Sequence, residues 1–68
     1  MKIVLNKRKT ELKQYNEITI DKLLEEVRYS FPLIIVKVNN RLIKKENYKA
    51  AVVKDGDTVD VIHLVGGG

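Results

Sequence analysis

Few side chains in this chain could do covalent chemistry. The 68 residues include no cysteine and a single histidine. Persulfide carriage, thiol catalysis, disulfides and thiolate metal sites are therefore excluded, because each needs a thiolate. Ser30 is the only serine, and no hydrolytic triad is assigned to it. His63 has no second histidine, cysteine or carboxylate at ligand spacing and reads as a partly exposed strand residue, with partner contact as the alternative. Asp55 and Asp57 flank Gly56, but they lack the spacing of a calcium loop and are better explained by a turn. No catalytic residue and no metal ligand is assigned. What remains is the run Val65-Gly66-Gly67-Gly68 that closes the sequence. Glycine has no Cβ, so three in succession gain freedom instead of burial. A strand that runs directly into them would present the terminal carboxylate on a thin, mobile thread, and that carboxylate is the candidate reactive group. Terminal glycines can also be mere disorder. Their position directly after a strand favours the functional reading.

The elements that must hold such a thread are legible in outline. Met1 to Asn6 reads as a strand with Ile3 and Leu5 on one side, and Lys7-Arg8-Lys9 as a polar turn. Thr10 to Tyr15 reads as a second, weaker strand, and Asn16-Glu17 as punctuation. Thr19 is the expected N-cap of a helix, with Asp21 in the first turn. Ile20, Leu23, Leu24 and Val27 fall at helical spacing on one apolar face, leaving Lys22, Glu25, Glu26 and Arg28 to the rest. Glu25 and Glu26 are therefore surface carboxylates, not an acid/base pair. Pro32 bars continuation beyond Phe31. Leu33 to Val38 reads as a central strand, and Asn39-Asn40 as a turn able to take positive φ that returns Arg41 to Ile43 as a short strand. Lys44 to Lys49 is polar, with Tyr48 as an anchor on the core, and Ala50 to Val53 reads as a short extended piece. Asp55-Gly56-Asp57 is a turn, and Thr58 to Leu64 the last strand. This order gives an α+β domain: a mixed sheet of four to five strands, one main helix on one face, and the first and last strands adjacent in the middle. Residues 1–65 are expected to form the domain and 66–68 a flexible tail.

Composition narrows the setting. A chain this short buries only about 60% of its unfolded surface and has no staple, so packing alone must stabilise it. The 44% hydrophobic and 32% charged composition fits a soluble globular domain. No apolar run reaches the roughly 18 residues of a membrane span, and the apolar start is too short for a signal peptide, so a cytoplasmic location is expected without membrane association. The net charge is +4, with basic clusters at Lys7-Arg8-Lys9 and at Arg41, Lys44 and Lys45. None of the four aromatics, Tyr15, Tyr29, Phe31 and Tyr48, sits in a basic cluster, which speaks against nucleic acid. A solvated surface, or steering toward an acidic partner protein, is the alternative.

With these features in place, the chain resembles a β-grasp, ubiquitin-like protein, and within that group the ThiS family of sulfur carriers of thiamin biosynthesis. The resemblance covers the whole chain. It rests on Met1 to Asn6, the helix Thr19 to Val27, Ile34 to Asn40, the aromatic Tyr48 after a Lys/Glu-rich segment, Asp55-Gly56-Asp57, and the closing Val65-Gly66-Gly67-Gly68. No internal motif is specific alone. Tyr48 stands where the family often has tryptophan. The resemblance implies that the Gly68 carboxylate is adenylated by a ThiF-like enzyme using ATP and Mg, and that sulfur from a donor such as a cysteine desulfurase then displaces AMP. The resulting thiocarboxylate would be delivered to a ThiG-like thiazole synthase. Gly66 and Gly67 would thread into the partner's active site, and the chain itself would bind no cofactor and catalyse nothing. Without cysteine, the C-terminus is the only place sulfur could ride.

By strand alternation, Ile3, Leu5, Val36, Val38, Val59 and Val61 should face the helix, leaving Val4, Ile35, Ile62 and Leu64 on the other face. With Val65, these form the expected partner-binding patch. Three other functions stay open on the residues alone. One is a MoaD-like carrier for molybdopterin synthesis, whose members often have prolines before the final glycines, absent here. The others are a ubiquitin-like modifier joined to lysines and a plain interaction domain.

Overall fold

The computed structural model describes residues 1–28 and 34–64. Among the described residues, seven strands and one α-helix follow in the order β1 (Lys2–Leu5), β2 (Arg8–Glu11), β3 (Glu17–Thr19), α1 (Ile20–Glu26), β4 (Ile34–Val38), β5 (Arg41–Ile43), a 3-10 turn (Lys45–Asn47), β6 (Val52–Lys54) and β7 (Thr58–His63). Five strands form one mixed sheet in the order β2-β1-β7-β4-β5, while β3 and β6 pair separately. As expected, the first and last strands are neighbours. β1 runs parallel to β7, with Val4 beside Thr58 and Leu5 beside Val59, and β4 runs antiparallel to β7 from Ile34↔His63 to Val38↔Val59. β7 thus has a hydrogen-bonded partner on both sides, which is the architecture of a β-grasp domain with α1 on one face.

The core is built as the alternation requires. Ile3, Leu5, Val36, Val59 and Val61 are buried on the helix side of the sheet, and Ile20, Leu23 and Leu24 meet them from α1. Val38, Val27 and Ile34 pack at its margin. Ile18, Val53 and Tyr48 complete it from the β3–β6 pair and the 3-10 turn, so Tyr48 does anchor the polar segment.

Three expectations need correction. The first hairpin turns at Asn6-Lys7, not over Lys7-Arg8-Lys9, and both turn residues have positive φ (50° and 67°). A two-residue turn of this hand matches the strand twist, and asparagine tolerates it, so β2 begins at Arg8 and ends at Glu11 instead of spanning Thr10 to Tyr15. Second, Glu17–Thr19 is a strand, where Asn16-Glu17 was expected as punctuation and Thr19 only as the N-cap. Ile18 is its one buried residue, and pairing with β6, not propensity, creates it. Third, β6 lies at Val52–Lys54, starting two residues and ending one residue later than the expected extended piece.

Thr19 occupies the N-cap, but its side chain does not cap. The first helical N–H groups are satisfied elsewhere: Ile20 N–H donates to the Ala51 carbonyl at 3.0 Å and Asp21 N–H to the Tyr48 carbonyl at 3.1 Å. The Thr19 hydroxyl instead donates to Asp21 Oδ1 at 2.5 Å. Phe31, Pro32 and Leu33, invoked above to end the helix and begin β4, lie outside the described residues. The Asn39-Asn40 turn is as expected, with φ of 51° and 68°.

Candidate docking face and tail attachment

The reactive candidate, Gly68, lies outside the described residues together with Gly66, Gly67 and Val65. What the structure describes is the platform from which they leave. β7 ends at His63, and Leu64 follows. The β1 pairing reaches only Thr58 and Val59, so toward its end β7 is held by β4, up to His63 opposite Ile34, and by the Asn6 side chain, whose Oδ1 accepts from Val61 N–H at 2.7 Å.

The Asp55-Gly56-Asp57 turn fixes the start of that strand. Asp55 Oδ1 accepts from Lys2 N–H at 2.7 Å, and Gly56 N–H donates to the Lys2 carbonyl at 2.7 Å. Asp57 accepts from Lys54 N–H at 2.8 Å and from the Asn39 amide at 3.1 Å. Asn39 Oδ1 in turn accepts from Thr58 N–H at 2.9 Å. Both carboxylates are committed to backbone and amide donors, which supports the turn reading over a cation site. Gly56 has φ of 87°, the left-handed region that glycine enters without steric cost. No cluster of metal-ligating side chains occurs among the described residues.

On the face away from α1, Ile62 stands directly opposite Ile35 in the β4–β7 ladder. Ile62 is 43% exposed and Leu64, two residues on and on the same face, 47%. Leu42, opposite Lys37, is 60% exposed and lies on the same face, diagonal to Ile35. The patch therefore has a member that alternation alone did not supply, since a three-residue strand gives too short a pattern. Val4 is on this face but not in the patch. It lies beside Thr58, four residues along β7 from Ile62 and so about 13 Å away at the strand rise. The expected contiguity of Val4 with the others fails because the parallel register of β1 on β7 sets Val4 at the far end. His63 is half-buried on the helix side, opposite Ile34.

The perturbed titrating groups belong to the other side of the molecule. The Thr19 hydroxyl, with the Lys22 N–H, holds the Asp21 carboxyl below its usual value despite some desolvation. The hydrogen bond to Glu26, 2.8 Å long, and some desolvation push the Tyr15 phenol up. Burial pushes up Tyr48. The outer face thus offers apolar contact and charge around a strand end.

Comparison with known proteins converges on one group. The model of the ThiS family matches residues 3–68. The sulfur carrier protein ThiS of Bacillus subtilis is 36% identical over 50 residues, which are 74% of this chain and 76% of that protein. A crystal structure of the thiamine biosynthesis protein ThiS from Geobacter metallireducens superposes with a TM-score of 0.91 over all of both chains at 25% identity. The solution structure of the Geobacter metallireducens protein gives 0.82, covering all of this chain and 88% of that one.

Proposed function

The chain belongs to the ThiS family, and on that premise we propose that it carries sulfur for formation of the thiamin thiazole ring, with the Gly68 carboxylate as the carrying group. The observation that supports this reading most is the match of the family model through residue 68, the last glycine. A carboxylate is a poor electrophile. One of its oxygens first attacks the α-phosphorus of Mg-bound ATP in a ThiF-like partner, forming the acyl-adenylate and releasing pyrophosphate. The outer sulfur of a donor persulfide, such as that of a cysteine desulfurase, then attacks the acyl carbon and expels AMP, and a thiol reductant cleaves the resulting acyl disulfide, itself becoming oxidised to a disulfide. The terminal thiocarboxylate that remains is nucleophilic through sulfur and serves a thiazole synthase.

Each part of the chain has a role in that cycle. Gly66 and Gly67 let the thread enter a confined nucleotide site where a Cβ would clash. Ile62, Ile35 and Leu64, with Leu42 beside them, form the docking surface, and Val65 marks where the thread leaves it. The chain acts as substrate, and the catalytic groups belong to its partners. A carrier role of this kind accords with the absence of any thiol from the sequence.

Intact-mass measurement tests the proposal. Incubation with the cognate adenylating enzyme, Mg-ATP and a sulfur source should replace one oxygen by sulfur at the C-terminus, and removal of Gly68 should abolish the change. A ladder of protein conjugates would instead establish a lysine-modifying tag, and an unaltered mass would remove the carrier reading.

A further inference from the structure

The basic run Lys7-Arg8-Lys9 plays no part in the cycle above, yet the fold sets it at the docking face. The Asn6-Lys7 turn carries Lys7 to the wall of an open cleft of about 360 Å3 that Lys37, Asp60 and Ile62 also line. Lys7 therefore approaches β7 from one side and Lys37 from the other, next to the apolar residue nearest the patch centre.

The charges on this face are uneven. Lys2 stands opposite Glu11, and Lys37 opposite Asp60. The outer face thus carries Lys2, Lys7, Lys9 and Lys37 against Glu11 and Asp60 among the described residues, a surplus of two positive charges. Helix α1, on the other side, carries Asp21, Glu25 and Glu26 against Lys22 alone. The one ion pair among the described residues, Lys22 to Glu25 at 3.5 Å, belongs to the helix, so no outer-face lysine is held in one. A local surplus of positive charge beside the apolar spot orients an approaching partner before contact.

We propose that Lys7 and Lys37, with Lys9 behind them, are the orienting half of the docking face, and that they fit a partner protein whose apolar contact spot is bordered by carboxylates on the side of the β1–β2 hairpin. This rests on the reading that the Ile62 face docks. Nucleic acid is the weaker occupant, because among the described residues the outer face presents no aromatic on which bases could stack: Tyr15 and Tyr48 both pack on the helix side. Exposed charge pairs add little to affinity. Their signature is in association, through a rate that falls as salt shortens the reach of the field.

Stopped-flow binding of the full chain to its own adenylating enzyme, at about 0.05 and 0.5 M salt, tests this. The unmodified chain should associate about tenfold more slowly at the higher salt. The double variant Lys7→Gly with Lys37→Ala should associate about fivefold more slowly at low salt, lose most of the salt dependence, and dissociate at nearly the original rate. Glycine suits the left-handed backbone at position 7, so misfolding is not the concern there, and Lys37→Glu alone should slow association in the same direction. Ile62→Ala with Leu64→Ala should instead speed dissociation and keep the salt slope. If the lysine variants leave association and its salt slope unchanged, or alter dissociation alone, the orienting role is overturned while the apolar pair still reports on docking. If neither pair matters, the docking face itself is wrong. Salt-dependent capture of a single-stranded oligonucleotide, lost in the lysine variant while enzyme association is unaffected, would assign the cations to nucleic acid and overturn the inference.

Discussion

Truncating Ile62 and Leu64 to alanine gives the sharpest test of where partners dock. Fully burying a large aliphatic side chain contributes about 1.5–3 kcal/mol. Ile62 retains 43% of its exposure and Leu64 47%. A partner that covers both would therefore recover about 0.6–1.3 kcal/mol from the first and about 0.7–1.4 from the second, scaling the burial value by the exposed share. Alanine keeps the Cβ, so the combined loss should be about 1–2.5 kcal/mol, or roughly 5- to 60-fold in dissociation constant. Titration calorimetry against the adenylating enzyme measures this, and the apparent KM for the carrier in ATP–pyrophosphate exchange should rise by a similar factor with little change in turnover once bound. Val4→Ala serves as the positional control, expected to alter the constant less than about twofold because Val4 sits about 13 Å from Ile62 along the sheet. Both variants should keep the melting behaviour of the parent, since they trim half-exposed groups. Unchanged affinity for the double variant would refute the reasoning. So would a Val4→Ala loss equal to that of the pair, which would mean that the register does not define the contact.

Three further outcomes follow from the fold. Leu23 is fully buried, so Leu23→Ala should cost about 2–5 kcal/mol in chemical denaturation, a large share of the stability of so small a domain. Lys7→Gly should stabilise by about 0.5 kcal/mol, because relief of the left-handed backbone (about 1–2 kcal/mol) outweighs the added freedom of the unfolded chain (about 0.4–1 kcal/mol), read from the denaturant midpoint. Asp21 has a lowered carboxyl pKa in the fold, so its contribution is present above the unfolded value and is lost as pH falls through the folded one. Thr19→Val removes the hydroxyl that is the main cause and should raise the Asp21 midpoint in a carboxyl-carbon NMR titration, shrinking that acid-side loss.

Much of this architecture is legible in the residues because local chemistry and global fold agree. The helix over Ile20 to Glu26 follows from an apolar face that has one solution, and the Asn39-Asn40 and Asp55-Gly56-Asp57 turns from residues that accept positive φ or bind their own backbone. The β4–β7 alternation put Ile35 and Ile62 on one face correctly. What the sequence hid depends on partners far along the chain. β3 exists because Ile18 pairs with Val53, and three residues carry no period of their own. The Thr19 side chain is spared capping by carbonyls from Ala51 and Tyr48, some thirty residues away. The separation of Val4 from Ile62 is a matter of register between the first and last strands, which alternation cannot set. Leu42 joins the patch for the same reason, since only the pairing with Lys37 shows which way it faces.

The parallel pairing of β1 with β7 has a mechanical corollary. Tension between the two chain ends is directed along both strands, so it loads their shared hydrogen bonds in shear and all at once instead of peeling them singly. The β4 ladder on the opposite edge of β7 resists with them. An unfolding motor that pulls on the C-terminus would load both ladders of β7 along their length, whereas one that entered through the β4–β5 hairpin could strip the edge strand first. Single-molecule pulling from each point should separate the two by force.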